Sequence, residues 1–356
     1  MKKIAILSAI LVQALFVQGI RAQGGVKQTA MEVRDGAHDF DFKFGTWKTH
    51  IRLLQKPLEG SNDWSELNGI VFVRKVWNGR AYLEEIEADG ATGHFEGLTL
   101  FLYNPKSHQW SMNFSASGDG TVGEPGIGQF ENGRGEFYHQ ETYKGRTVFV
   151  RFIWSDITPD KHHVEQAFSA DGGKTWEPNF VADLDRVVTP AISTGYSPTE
   201  GAPHDFDFAY GKWKEQSSRL QDPLTGSTSW TQLNGVSVTS PIWNGRANMT
   251  ELESNGPNGR LELLALRLYN PAARQWNLYF ATSGVGVLGM PASVGSFGDQ
   301  KGEFYDQETY KDRTIWVRFR IFPISKDSMQ SEQAFSPDAG KTWETNWVNK
   351  YTRVNP

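Results

Sequence analysis

The chain carries the same domain-length pattern twice. His38-Asp39-Phe40-Asp41-Phe42-Lys43-Phe44-Gly45-Thr46-Trp47 recurs as His204-Asp205-Phe206-Asp207-Phe208-Ala209-Tyr210-Gly211-Lys212-Trp213. Trp47, Trp77, Tyr103 and Trp110 match Trp213, Trp243, Tyr269 and Trp276, each 166 residues on. From Glu136 onward the offset is 167, pairing Arg151 with Arg318, Glu165 with Glu332 and Trp176 with Trp343. A single one-residue change near Gly126 therefore accounts for the whole alignment. Solenoids and propellers repeat every ~20–50 residues, so each copy here must be a complete domain. The expected organisation is a repeat over 38–187, a Pro/Ser/Thr/Gly linker over 188–203 and a second repeat over 204–356. Residues 23–37 read as a disordered lead-in.

Within a repeat, strand signals return about every ten residues, the all-β pattern. Ile70-Val71-Phe72-Val73 runs on to Asn78-Gly79, a two-residue hairpin signal. Gly97 to Tyr103 leads into the turn Asn104-Pro105, and Trp110 to Phe114 alternates cleanly. Asn132-Gly133 marks another hairpin, and Glu136–Tyr143, Thr147–Trp154 and Val164–Ser169 complete about ten strands. No window holds a helical period, while 36 glycines and 13 tryptophans suit strands joined by tight turns. A meander this long must hide its edges, and closure does so most simply. The expected fold is all-β: two tandem antiparallel barrels. Trp47 has the opposite parity to Phe40, Phe42 and Phe44. Either a bulge at Gly45 restores it to their face, or a short 3₁₀ turn through residues 38–42 plugs the barrel base.

Residues 1–22 have the order of a secretory signal: Lys2 and Lys3, an apolar run from Ile4 to Val17, then the small Ala22. The run falls short of the ~20 apolar residues a membrane span needs. The expected mature protein has no membrane span and is periplasmic or secreted. It contains no Cys, hence no disulfide and no lipid-attachment cysteine. Net charge is −5 with Lys and Arg dispersed, which argues against nucleic acid as a partner.

Each repeat pairs an early Gly-x-Trp with a terminal Arg: Gly45/Trp47 with Arg186, and Gly211/Trp213 with Arg353. This resembles the lipocalin (calycin) superfamily, in which a first-strand Trp closes one end of a barrel and a last-strand Arg stacks on it. The opening His-Asp-Phe-Asp-Phe resembles a group of uncharacterised bacterial lipocalin-like proteins. The resemblance implies a ligand-binding barrel and brings no catalytic residue. Ser169-Ala170-Asp171-Gly172-Gly173-Lys174-Thr175-Trp176 and Ser336-Pro337-Asp338-Ala339-Gly340-Lys341-Thr342-Trp343 resemble the Asp-box of secreted glycan-active β proteins. There Asp171 and Asp338 act as turn devices rather than as chemistry.

The expected function is binding of a small apolar or amphipathic ligand, with no cofactor, metal or catalytic residue assigned. Trp77, Phe101 and Trp110, with Trp243 in the second repeat, are the expected cavity lining. The polar anchors are Tyr138, Arg151 and Glu165, with Tyr305, Arg318 and Glu332 as counterparts. Arg151 interrupts the apolar row of Phe149 and Ile153, and Glu165 on the next strand is its expected partner. His38-Asp39 with Asp41 (His204, Asp205, Asp207) reads as a structural His–Asp contact rather than a metal or acid–base site. His162-His163, set against Gln330-Ser331, reads as a surface loop. A barrel-mouth enzyme and a carbohydrate-binding module displaying Trp64 and Trp230 are the competing functional readings. Differences between the halves, such as Trp154 against Ile321 or Tyr82 against Asn248, are further places to look for specialisation. Oligomeric state is not legible.

Overall fold

A computed structural model describes residues 34–187 and 204–354. The signal segment 1–22, the lead-in up to residue 33 and the linker 188–203 lie outside the described residues. The rest of the lead-in packs on the first barrel: Tyr103 donates to Asp35 Oδ1 (2.6 Å), Trp110 Nε1 donates to the Gly36 carbonyl (2.9 Å), and Ala37 is buried.

The first repeat forms β1 (Gly45–Leu54), β2 (Trp64–Val76), β3 (Ala81–Gly90), β4 (Gly93–Asn104), β5 (Gln109–Ala116), β6 (Gly126–Glu131), β7 (Arg134–Tyr143), β8 (Arg146–Ser155), β9 (Lys161–Ser169) and β10 (Glu177–Arg186). The second forms β11 (Gly211–Leu220), β12 (Trp230–Ile242), β13 (Ala247–Gly256), β14 (Gly259–Asn270), β15 (Gln275–Thr282), β16 (Ser293–Gly298), β17 (Lys301–Tyr310), β18 (Arg313–Ser325), β19 (Ser328–Ser336) and β20 (Glu344–Arg353). Each set is an antiparallel meander closed by pairing its first strand with its last, β1 with β10 and β11 with β20. Closure satisfies every sheet edge. The fold class is therefore two ten-stranded closed barrels in tandem.

The local choice left open at the barrel base falls to the 3₁₀ turn. Asp41–Lys43 and Asp207–Ala209 are single 3₁₀ turns that drop Phe40 and Phe206 into the barrels. β1 pairs with β2 in unbroken register from Gly45, so no bulge is needed. Phe40 is wholly buried, with ring centroids 4.6 Å from Phe101, 4.8 Å from Phe130 and 5.1 Å from Trp110. Phe206 sits likewise 4.8 Å from Trp276 and 4.9 Å from Phe297. Gly45 and Gly211 turn the chain from plug to strand at φ +116° and +103°, a region a side chain disfavours. An added Cβ there would also crowd the Arg186 or Arg353 guanidinium.

Beneath each plug lies the same lock. The Arg186 guanidinium carbon is 4.0 Å from the Trp47 ring centroid, and that of Arg353 is 4.1 Å from Trp213. Arg186 donates to the carbonyls of Phe42 (2.6 Å) and Phe44 (2.7 Å); Arg353 donates to those of Phe208 (3.0 Å) and Tyr210 (2.8 Å). Each indole N–H donates into the 3₁₀ turn, Trp47 to Lys43 O and Trp213 to Ala209 O. Stacking of this kind contributes ~0.5–2 kcal/mol, and the bonds fix the turn that carries the plug.

The two barrels share a wall. Leu83, Leu98, Leu100 and Leu102 on the outside of β3 and β4 pack with Met249, Leu264, Leu266 and Leu268 of β13 and β14. With Thr99 and Phe101 facing inward, both sides of β4 are buried, which is why its stretch 97–103 carries no charged residue. Arg80 pairs with Glu262 (2.5 Å) and Arg246 with Glu96 (2.7 Å). Those residues are repeat equivalents, so the contact is reciprocal, as in an isologous dimer.

Candidate functional site: the barrel interiors

Above the plug of the first barrel lies a cavity of about 270 Å³. Alternation along β1 directs Thr49, Ile51 and Leu53 into it, and alternation along β8 directs Phe152 and Trp154. Its walls are mostly apolar, and its charged pair and its histidine lie near the floor. Lys43, held by the 3₁₀ turn, is only 2% exposed and pairs with Glu84 of β3 at 2.5 Å. Its ammonium lies 4.4 Å from the Phe101 ring centroid. Burial pulls the Lys43 ammonium down from the usual range, and Glu84 opposes that shift.

His162 of β9 also lines this cavity. It is 3% exposed and stands edge-on to Trp47 with ring centroids 4.4 Å apart. Neither ring nitrogen has a hydrogen-bond partner among the described residues, nor do the lining atoms Trp154 Nε1 and Thr49 Oγ1. Buried polar atoms are ordinarily satisfied, and these four belong to residues that line one cavity. Burial, reinforced by the nearby positive charges of Lys43 and Arg186, pushes His162 down to about 2, so the ring is neutral. One of its nitrogens then offers a proton and the other accepts one.

The second cavity is smaller, about 160 Å³, and is organised around Arg267 of β14. Arg267 is 4% exposed, and its guanidinium carbon lies 4.8 Å from the Phe206 ring centroid. It donates to Asn248 Oδ1 (2.8 Å) and Thr250 Oγ1 (2.7 Å). Lys43 and Arg267 are not equivalent positions: the repeat places Ala209 opposite Lys43 and Phe101 opposite Arg267. Each floor thus holds one cation against its plug phenylalanine, supplied by the plug turn in one barrel and by a wall strand in the other.

The residues expected from sequence to line a cavity are placed elsewhere. Trp77 and Trp243 lie in the turns after β2 and β12 and are buried in the wall between the barrels. Phe101 and Trp110 do face inward, but Phe40 seals them into the floor. Tyr138, Arg151 and Glu165 have the opposite parity to the lining residues Phe152, Trp154, Val164 and Gln166, so they stand on the outer face. There Arg151 stacks on Trp176 (4.6 Å), Tyr138 donates to Glu136 (2.6 Å), and Arg151 approaches Glu165 at 3.6 Å. In the second barrel Arg318 stacks on Trp343 (4.5 Å), Tyr305 donates to Glu303 (3.1 Å), and Glu332 accepts from Gln330 (2.6 Å). The row that Arg151 interrupts is the exterior row, and charge there is ordinary. His162 corrects the surface-loop reading, because it is an inward strand residue; its register equivalent is Met329, not Gln330.

Asp171 Oδ1 accepts from the backbone N–H groups of Lys174 and Thr175 (3.0 Å each), and Asp338 Oδ1 from that of Thr342 (2.9 Å). These bonds fold the loops that carry Trp176 and Trp343. His38 contacts Asp41 at 3.3 Å and His204 contacts Asp207 at 2.7 Å, both at the surface. Trp230 is 39% exposed, while Trp64 lies beneath Arg52.

No protein-family model matches the chain, and no curated protein matches it in sequence. Among solved structures it is similar to the S-type phycobiliprotein lyase CPES from Guillardia theta, at 12% identity and a TM-score of 0.31, over 42% of this chain and 91% of that one. It is also similar to a protein of unknown function of the DUF3598 family from Nostoc punctiforme PCC 73102, at 10% identity and a TM-score of 0.27, over 90% and 100% of the two chains. At these scores neither bears on the function of this chain.

Proposed function

We propose that the protein is an exported, lipocalin-like binder that holds a small apolar or amphipathic molecule in its first barrel. The observation that carries this reading is the coincidence of apolar walls with four unpartnered polar atoms, two of them on the buried ring of His162. Ligand pockets are concave, largely apolar and fixed by a few polar groups. An apolar body lying against Ile51, Leu67, Val71 and Phe95, with a hydroxyl or carbonyl turned to His162, satisfies both kinds of surface. Export rests on the signal-like order of residues 1–22.

Titration with the neutral fluorophore N-phenyl-1-naphthylamine tests the binding. Saturable enhancement is expected, weakened at least tenfold by Ala182→Leu, which fills the cavity from β10, and unaffected by Ala265→Leu in the second barrel. Equal binding by the wild type and Ala182→Leu would place the probe outside the cavity and remove the proposal.

A further inference from the structure

The second barrel differs from the first in the counter-charge at its floor. Glu84 balances Lys43 in the first barrel, and its repeat equivalent is Thr250. Arg267 therefore rests on two neutral oxygens, Asn248 Oδ1 and Thr250 Oγ1, and among the described residues no carboxylate lies within ion-pairing distance of it. The Nε of Arg267, which lines the same cavity, is buried and has no partner among the described residues. Burial pulls Arg267 down only to about 10, so the guanidinium is charged at neutral pH. A buried cation without a counter-ion is strongly disfavoured, and the guanidinium fork matches a carboxylate.

The other acids of this barrel do not supply that charge. Glu215 takes a hydrogen bond from Ser254, and its carboxyl is pushed up by burial. Glu308, on the cavity wall, is pushed up by burial and by Asp306, toward its neutral form. Phe280, Phe319, Trp347, Leu252 and Ile321 complete an aromatic and aliphatic enclosure. An engineered apolar cavity of roughly 150 Å³ holds one benzene, so 160 Å³ sets the scale at a single ring or a short branched chain.

We propose that the second barrel binds a compact organic monoanion, a monocyclic or short-chain carboxylic acid, with its carboxylate on Arg267 and its apolar body against Phe280, Phe319 and Trp347. The site is separate from the one in the first barrel, and its ligand is charged where the other is neutral.

Isothermal titration of the full chain with benzoate, benzyl alcohol and inorganic phosphate tests this. Benzoate is expected to bind the wild type at least tenfold more tightly than either of the other two. Arg267→Met should weaken benzoate at least tenfold. Thr250→Glu, which rebuilds the first barrel's internal pair in the second, should do the same. Arg318→Met, which removes a cation from the outer face of the same barrel, should leave benzoate binding unchanged. Urea unfolding of the Arg267→Met and Thr250→Glu variants that stays cooperative, with the wild-type native baseline of tryptophan fluorescence, shows that they are folded. Failure of benzoate to bind the wild type, phosphate binding as tightly as benzoate, benzyl alcohol matching benzoate, or indifference to Arg267→Met would each overturn the proposal.

Discussion

The two barrels have identical closures and dissimilar interiors. Plug phenylalanine, indole, terminal arginine and the two accepting carbonyls recur at equivalent positions with nearly equal geometry. The floor cation recurs as well, but as lysine from the plug turn in one barrel and as arginine from β14 in the other, and only the lysine has a carboxylate. What the fold requires has been kept, and what a ligand would contact has diverged. Function in this chain is therefore best sought in the positions where the repeat breaks.

That contrast can be broken by charge removal. Lys43→Met strands Glu84 in the barrel, and loss of one partner of a buried pair costs about 3–5 kcal/mol. Arg267→Met strands no charge and should leave stability unchanged or raised. Urea unfolding of the two variants reports the difference directly, and equal losses would show the floors to be electrostatically alike. A second comparison should show sameness: Arg186→Ala and Arg353→Ala each remove a stacking contact and bonds to carbonyls, about 2 kcal/mol in either barrel. Unequal losses would mean that one lock has been relaxed. The smallest effect is one of pH. His162 is held far below its ordinary 6.5, so the folded chain refuses a proton that the unfolded chain accepts. Its contribution is complete above that ordinary value and declines as pH falls through the window toward about 2. Between pH 6.5 and 5 the loss is on the order of 1–2 kcal/mol. His162→Met, which installs the second barrel's residue, should flatten that slope in melts taken across the range.

The fold was legible because repeat length, turn dipeptides and alternation each limit it independently. Phe40 and Phe206 could be placed at the base, although not as plugs rather than strand residues, because a 3₁₀ turn of three residues leaves no periodic trace. The interior was harder to read. Arg151 drew attention by interrupting an apolar row, yet alternation gives two faces without saying which is inside. The same argument applied to the second repeat would have found Arg267, which breaks the apolar run from Leu263 to Tyr269 and replaces Phe101. Lys43 hid within a repeated motif, opposite Ala209. Glu84 is one of three acids on β3, with Glu85 and Glu87, and only the plug turn singles it out by bringing Lys43 to it. Of the differing pairs, Trp154 and Ile321 line the two cavities, whereas Tyr82 bonds to Asp41 and Asn248 accepts from Arg267 without either lining a cavity.

The reciprocal wall of leucines, crossed by Arg80–Glu262 and Arg246–Glu96, makes the covalent tether between the repeats secondary. A chain severed between residues 187 and 204 would still have its halves clasped, much as two subunits are. The tether fixes their stoichiometry, guaranteeing that each neutral pocket travels with one cationic partner.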